Sequence, residues 1–188
     1  DIAELPSFGD EIRVSTWATG FRGLRASRNF TVCRASDDAA AHPLVRADSS
    51  WFMFDANKGR PIRIPESESA PYVEDARNDS PLDLPPIQHV IRIEGEGQAC
   101  APITVTGAYI DTNHHVNNAQ YVSLALGVLE EGEASTPCAL DVHYSRAAKL
   151  GDTIYPHIHR ESPADGSMST IVTLDDKAGS PYAIVRLG

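Results

Sequence analysis

The sequence predicts an α+β protein, with antiparallel sheets and little helix. Short runs in which apolar and polar residues alternate recur along the chain, whereas apolar residues at helical spacing occur clearly in one segment, which starts at Asn118. A proline-rich, acidic stretch at residues 65–86 separates an N-terminal unit, residues 1–64, from a C-terminal unit, residues 87–188. We therefore expect two β-rich units, the second with one helix packed on its sheet.

The N-terminal unit is predicted to consist of strands. Residues 12–17 and 30–32 alternate between apolar and polar side chains, and residues 50–55 form a short aromatic run. The linker that follows is rich in proline, which lacks an amide donor and has a fixed φ. It is therefore expected to contain no sheet centre and no helix interior.

The C-terminal unit is predicted to contain strands on both sides of its helix. The helix begins near Asn118, since the apolar residues at positions 121, 122, 125, 126 and 129 fall on one face, and it is expected to close at residues 130–132. The predicted strands cover residues 87–94, 102–105, 140–145, 153–159, 169–174 and 182–187. One amphipathic helix on an antiparallel sheet completes the α+β class.

Composition and charge restrict the function. Of the 188 residues, 41% are hydrophobic, which suffices for a packed core, and the net charge of −10 argues against binding to nucleic acid. The apolar runs are too short for a membrane helix, which needs about twenty residues. The chain has no charged and apolar leader, so no secretion signal is expected. Three cysteines without C-x-x-C spacing exclude a disulfide framework and a four-cysteine zinc site, and they favour a reducing cytoplasm.

The densest polar cluster directly precedes the predicted helix. Asp111, Asn113 and His115 are spaced by two, so in an extended loop they would face the same way. A carboxylate, an amide and an imidazole can activate water or orient a carbonyl group. Asn117 or Asn118 suits the helix N-cap, and free amides at a helix start suit an oxyanion. A capped turn with incidental histidines explains the same residues without chemistry.

Two histidines on the predicted strand 153–159 offer a metal-site alternative. His157 and His159 would share one strand face and could bind zinc or iron. Because no H-E-x-x-H motif and no carboxylate at fixed spacing accompanies them, no metal is expected.

A basic stretch stands out in this acidic chain. Residues 12–34 hold five arginines and no acidic residue. They form either a solvated strand face or a docking patch for an acidic partner.

The polar cluster also carries a family resemblance. The pattern D-x-N-x-H-V-N-N-x-x-Y, from Asp111 to Tyr121, resembles the signature of the acyl-ACP thioesterases of bacteria and plant plastids, where ACP is acyl-carrier protein. Other stretches resemble the same family in the same order along the chain. They are L-P-x-F-G-D-E-x-x-V-x-T-W from Leu5, Trp51 followed by R-P-x-R-I-P from Arg60, and Tyr144-x-Arg146 followed by Gly151 and Asp152.

The resemblance implies a fold and a reaction. The fold would be a tandem of two hot-dog units, in each of which a curved antiparallel sheet wraps one long helix. The reaction would be hydrolysis of the fatty acyl thioester of ACP in fatty acid biosynthesis, without a metal or organic cofactor. The family's catalytic Asp, Asn and His correspond to Asp111, Asn113 and His115. Asn117, Asn118 and Tyr121, around the helix start, are expected to bind substrate.

The resemblance also implies partners. Because ACP is strongly acidic, Arg22, Arg25 and Arg28 are expected to help dock the carrier, whose phosphopantetheine arm holds the acyl chain. The protein is expected to be cytoplasmic, with a homodimer as one possibility and no membrane partner. Two alternatives stay open: a hot-dog thioesterase acting on acyl-CoA, and a non-catalytic acyl-binding hot-dog protein.

Two departures from the family pattern affect these expectations. The family's first unit opens with a strand and the hot-dog helix, which this chain lacks, so the first unit is expected to be incomplete and to continue upstream. The family also places Glu, and in plants a following Cys, just after Tyr-x-Arg or Tyr-x-Lys, where this chain has Ala147 and Ala148. A carboxylate therefore cannot act from position 147.

Overall fold

The computed structural model describes residues 1–37, 42–55, 57–73, 80–130, 137–161 and 169–188. These residues form two compact units, Asp1–Ile87 and Gln88–Gly188. Each unit contains an antiparallel sheet, as expected for the α+β class. The three-part division into residues 1–64, 65–86 and 87–188 stays a prediction.

The first unit is a four-stranded antiparallel sheet. Its strands are β1 (Ile12–Arg22), β2 (Arg25–Arg34), β3 (Val45–Asp55) and β4 (Arg60–Ile62), in the order β1-β2-β3-β4. The three strands predicted for this unit, two from alternation and one from its aromatic residues, are confirmed. Gly23, at φ 64°, lies in the turn between β1 and β2, where a left-handed residue lets the two strands meet in a tight hairpin.

One face of this sheet is apolar and largely open. Val14, Val32 and Val45 lie side by side across three strands, and Phe30 and Trp51 share their face. Val14 is 61% exposed and Trp51 is 51% exposed. Within the described part of this unit, no long helix covers that face.

The proline-rich stretch contains a short helix, α1 (Glu66–Val73), with Pro71 inside it. The prediction that this stretch holds no helix interior is therefore wrong. The ring of Tyr72 in α1 lies tilted against that of Phe21, at 6.5 Å between ring centroids, although no residue of α1 is buried. Pro71 lacks the amide that would bond to the carbonyl four residues earlier, so this short helix forms without that bond. Residues 74–79 of the predicted linker lie outside the described residues.

The second unit combines a sheet with one long helix, α2 (Asn118–Gly127). Its strands pair in the order β5-β8-β9-β10-β7, and β6 also pairs with β8. They are β5 (Gln98–Ala99), β6 (Ile103–Thr104), β7 (Leu140–Tyr144), β8 (Thr153–Glu161), β9 (Ser169–Asp175) and β10 (Pro181–Leu187). A short 3₁₀ helix, Gly107–Tyr109, precedes α2.

The core of this unit lies between α2 and the sheet. Tyr121, Leu124 and Ala125 of α2 are buried against a sheet face that includes Val172 and Val185. The helix ends at Gly127, earlier than predicted. Glycine has a low helix propensity, which explains why the helix stops there. Of the predicted closing residues, 131 and 132 lie outside the described part of the chain.

The opposite face of the sheet, here called the outer face, carries polar side chains. A segment without regular structure, residues 88–97, lies over it and is called the strap. The His143 ring donates from Nε2 to the Gln88 carbonyl at 2.6 Å, and Gly97 lies against the His157 and His159 side chains. The strand predicted at residues 87–94 is therefore wrong, because the strap bonds to side chains rather than to a neighbouring strand. Among the described residues, no helix has the length and hydrophobicity to cross a membrane.

Candidate active site

A tight turn, rather than an extended loop, carries the three candidate catalytic residues. The Asp111 carbonyl accepts from the His114 N–H at 3.0 Å, and the Asp111 N–H donates to the His115 carbonyl at 2.9 Å. The Asp111 carboxylate also accepts from the Asn113 N–H at 2.8 Å. The expectation of an extended loop is therefore wrong.

His114 explains how the turn closes. It adopts φ 61° and is the non-glycine residue with positive φ among those described. A left-handed residue reverses the chain direction within one step. The reversal brings Asp111, Asn113 and His115 to one side, where all three line the same cavity.

This cavity has a volume of about 440 Å³ and lies at the amino end of α2. Asn117, Asn118 and Tyr121, predicted to bind substrate, also line it, and residues 144–147 form its opposite wall. The side chains of Asn113 and His115 have no hydrogen-bond partner within the described ranges. An amide and an imidazole are thus available to a bound molecule.

The start of α2 leaves one backbone donor available. Asn117 is the N-cap, as predicted, and its side chain accepts from the Ala119 N–H at 2.9 Å. The Gln120 N–H donates to the Asn117 carbonyl at 2.9 Å. Of the amides at positions 118–120, that of Asn118 therefore has no acceptor among the described residues. The capped turn and an oxyanion site are compatible at this helix start.

Two tyrosines form hydrogen bonds to the backbone around the cavity. The Tyr121 hydroxyl accepts from the Ala148 N–H at 2.8 Å, and the Tyr144 hydroxyl donates to the Asn118 carbonyl at 3.2 Å. Burial raises the pKa of both phenols. They therefore stay neutral near pH 7 and act as hydrogen-bonding supports rather than as bases.

The cavity contains few charges. Among its described lining residues, Asp111 is the carboxylate and Arg146 is the cation, and Ala147 contributes a methyl group to the wall. Proton transfer in this cavity can therefore involve Asp111 and His115, whereas position 147 offers no acid.

Comparison with known families agrees with this site. The family model for the acyl-ACP thioesterase N-terminal domain matches residues 1–72, and that for the acyl-ACP thioesterase C-terminal domain matches residues 91–185. The chain belongs to the acyl-ACP thioesterase family. The C-terminal match includes the polar turn, α2 and the wall at residues 144–147.

A curated relative in this family comes from a plant. The chloroplastic acyl-acyl-carrier-protein hydrolase FATB3 of Cuphea viscosissima is 26% identical over 213 aligned residues, which cover 98% of this chain and 49% of the relative. The chain thus spans about half the length of that relative.

Solved structures of the family share the fold. A provisionally assigned oleoyl thioesterase of Lactobacillus plantarum matches with a TM-score of 0.79 and 21% identity, over 100% of this chain and 71% of that one. The 12:0-ACP thioesterase of Umbellularia californica matches with a TM-score of 0.75 and 19% identity, over 97% of this chain and 68% of that one. This likeness establishes the fold and confirms the predicted tandem hot-dog architecture.

The arginines proposed for carrier docking do not all share a surface in this family member. Arg22 and Arg25 lie directly opposite each other across β1 and β2. Arg28 points to the other face of the sheet, where its guanidinium lies 5.5 Å from the Tyr72 ring centroid and donates to Thr16. The pair Arg22 and Arg25 is thus the part of the predicted patch that the fold brings together.

The two histidines weighed as metal ligands lie on the outer face. His157 Nδ1 is 3.0 Å from an Asp175 carboxylate oxygen, which also accepts from the Thr173 hydroxyl at 2.6 Å. Among the described residues, no group of three or more His, Cys, Asp or Glu could hold a metal ion. The pair is part of a polar network beneath the strap.

Sequence reasoning missed the residues that hold the cavity wall. Ser145 lines the cavity, and Arg146 is contacted by Asp176, which directly follows β9, and by Tyr182 of β10. Ser145 and Ala147 stand two residues apart, and this spacing could have indicated that Ser145 lies on the same wall. No local pattern points to Asp176, which lies 30 residues from Arg146.

Proposed function

We propose that the protein hydrolyses the thioester of fatty acyl-ACP and releases the free fatty acid. The observation that carries this proposal is one cavity lined by Asp111, Asn113 and His115 together with the available N–H of Asn118. Membership of the acyl-ACP thioesterase family supports the choice of substrate.

In the proposed reaction, water attacks the thioester carbonyl carbon. Its oxygen forms the new C–O bond while Asp111 or His115 takes its proton, directly or by relay. The side-chain amide of Asn113 and the N–H of Asn118 donate to the oxyanion that develops on the carbonyl oxygen. The C–S bond then breaks, and the phosphopantetheine thiolate recovers a proton as the fatty acid leaves.

The assignment of the polar turn is tested by single substitutions. Asn113→Ala and His115→Ala should each lower kcat on acyl-ACP by about 100-fold or more, which is typical for loss of an oxyanion donor or a general base. KM should change little, because neither side chain holds the acyl chain. His114→Asn is the matched control, since His114 does not line the cavity and Asn tolerates a left-handed backbone. Turnover at the wild-type rate in either Ala variant would remove that residue from the mechanism.

The carrier is tested by substrate comparison. Acyl-ACP and acyl-CoA of the same chain length present the same thioester and the same phosphopantetheine arm. A preference for acyl-ACP in kcat/KM supports recognition of the protein carrier. Equal or better turnover of acyl-CoA assigns the protein to the alternative class, a hot-dog acyl-CoA thioesterase.

A second candidate, a non-catalytic acyl-binding protein, is favoured by Ala147. Because position 147 has no carboxylate, Asp111 is the carboxylate among the described residues that line the cavity. If Asp111 serves instead, the wild type turns over and Asp111→Asn abolishes most of the rate, while Ala147→Glu increases it. If only Ala147→Glu turns over, the protein binds acyl groups without hydrolysing them.

We further propose that the protein acts in the cytoplasm, and a homodimer is the assembly to be tested. The reducing environment suggested by its cysteines supports the location. Light scattering after size-exclusion chromatography tests the dimer, and cell fractionation tests the location. A monomer at micromolar concentration, or recovery with another compartment, would refute the respective proposal.

A further inference from the structure

Arg146 is held at three points on the cavity wall. Its Nη2 donates to the Asp176 carboxylate and to the Ser180 carbonyl, both at 2.8 Å. The guanidinium lies 4.5 Å from the ring centroid of Tyr182. A planar guanidinium can bond at its edge and stack on its face at once, which a lysine ammonium cannot do. We call Arg146, Asp176, Ser180 and Tyr182 the guanidinium clamp.

The turn that receives Arg146 is itself well ordered. The second carboxylate oxygen of Asp176 accepts from the N–H groups of Ala178 at 2.8 Å and Ser180 at 2.9 Å. The bond from Ser180, with further help from the Arg146 guanidinium, lowers the pKa of Asp176. Asp176 therefore stays ionised near neutral pH and offers Arg146 a fixed anchor.

Two residues beyond Arg146, the chain crosses to the polar turn. The Ala148 carbonyl accepts from the Val116 N–H at 2.9 Å, and the Ala148 N–H donates to the Tyr121 hydroxyl at 2.8 Å. Ala148 and Tyr121 are almost fully buried. Val116 directly follows His115, so the bond to Ala148 connects the wall to the backbone beside His115.

We propose that Arg146 is a positioning residue: the guanidinium clamp fixes residues 145–148 and, through Ala148 and Val116, the imidazole of His115. The expected effect of the clamp on the reaction rate rests on the proposed function, whereas its expected effect on the position of the His115 ring does not. The clamp lies outside the turn that carries the reactive groups, and it acts on them without touching the reacting atoms.

The clamp can be distinguished from a direct effect of charge. Arg146 also lines the cavity, so its positive charge could act on the substrate. Arg146→Lys keeps the charge but loses the stacked, two-acceptor geometry. Arg146→Gln loses both the charge and the geometry. If the clamp matters, the two variants are impaired alike.

The experiment measures kcat and KM on acyl-ACP for the wild type, Arg146→Lys, Arg146→Gln, Asp176→Asn and the double variant Arg146→Gln/Asp176→Asn. Displacing a reacting group by about 1 Å costs up to about 100-fold in rate, so each single variant should lose roughly 10- to 100-fold in kcat with little change in KM. Because both partners act through one clamp, the double variant should lose no more than the worse single variant.

The matched control is Arg186→Gln. Arg186 forms an equivalent ion pair with Asp141 in the same unit, on the outer face. Its loss should lower the melting temperature as the clamp variants do, while kcat stays at the wild-type value. A fall in kcat equal to that of Arg146→Gln would show that the effect is general destabilisation and would overturn the proposal.

A second readout does not depend on turnover. The Cε1–H resonance of His115, assigned by its loss in His115→Gln, should move in Arg146→Gln and Asp176→Asn but not in Arg186→Gln. An unchanged resonance overturns the clamp, and so does full activity of Arg146→Lys beside an impaired Arg146→Gln. If the wild type turns over no acyl thioester, the proposed function fails, and the resonance alone decides whether the clamp positions the ring.

Discussion

The hydroxyl of Tyr121 connects α2 to the far wall of the cavity, and its removal tests that connection. Tyr121→Phe deletes one oxygen and keeps the ring. The Ala148 N–H then loses its acceptor, which lies 2.8 Å away, in a place where Tyr121 is 1% exposed and Ala148 is 0% exposed. A buried donor left without a partner costs about 1–3 kcal/mol. We expect the second unit to lose that much free energy of unfolding.

Amide hydrogen exchange is the appropriate assay, because both tryptophans, Trp17 and Trp51, belong to the first unit and fluorescence would not report on the second. For amides of β8, β9 and β10 that exchange by global opening, a loss of about 1–3 kcal/mol raises the exchange rate roughly 5- to 150-fold. Protection in the first unit should not change.

Tyr182→Phe is the control for this measurement. Its hydroxyl lies 3.4 Å from the Asp152 carboxylate, which is long for an O–H···O bond. Because this contact is weak, its removal should cost less than about 0.5 kcal/mol, even though Tyr182 is buried. The reasoning is refuted if Tyr121→Phe changes exchange by no more than this control does.

Three further outcomes are expected. Gly97→Ala would place a Cβ 2.6 Å from the His159 ring and 2.9 Å from the His157 Cβ, so it should cost about 1–3 kcal/mol through overpacking and speed exchange in the strap; wild-type protection there would contradict this contact. Burial, and to a lesser extent the neighbouring His157, lowers the pKa of His159 below its ordinary 6.5. The folded state then binds fewer protons than the unfolded chain, so the free energy of unfolding should fall as the pH drops through 6.5 toward the folded pKa. Unfolding curves measured at several pH values should lose that part of the slope in His159→Gln. Reversing Arg22 and Arg25 to Glu should raise KM for acyl-ACP but not for acyl-CoA, and the wild-type KM for acyl-ACP should rise with salt; indifference to both would make the pair a solvated face.

The strands were predictable because alternation is a local property of a sheet with two different faces. It identified the strands at residues 12–17 and 140–145. It failed at residues 87–94, of which only 91–94 alternate, and which cross the outer face from residue 88 as part of the strap. Whether such a segment pairs with a backbone or with the His143 side chain depends on the remainder of the fold, which a short window of sequence does not contain.

The candidate site was predictable in its residues and not in its geometry. Asp111, Asn113 and His115 stand close in sequence, and any tight arrangement of the chain brings them together. A left-handed backbone is uncommon for any residue other than glycine, so spacing alone indicated an extended loop and not the turn at His114. The guanidinium clamp joins positions 30 residues apart, and no local pattern records that contact.

The polar turn and the cavity wall differ in how they would assemble during folding. The bonds that close the turn span three or four residues, from Asp111 to His114 and to His115, so little chain entropy opposes them. The wall reaches α2 through the bond between Ala148 and Tyr121, 27 residues apart, and this contact must wait until β7, which lies between them, has paired with β10. The reactive groups can therefore gather early, while the complete cavity forms only at the end of folding. A graft of the turn alone onto another hot-dog scaffold would transfer the three side chains and leave behind the surroundings that orient them.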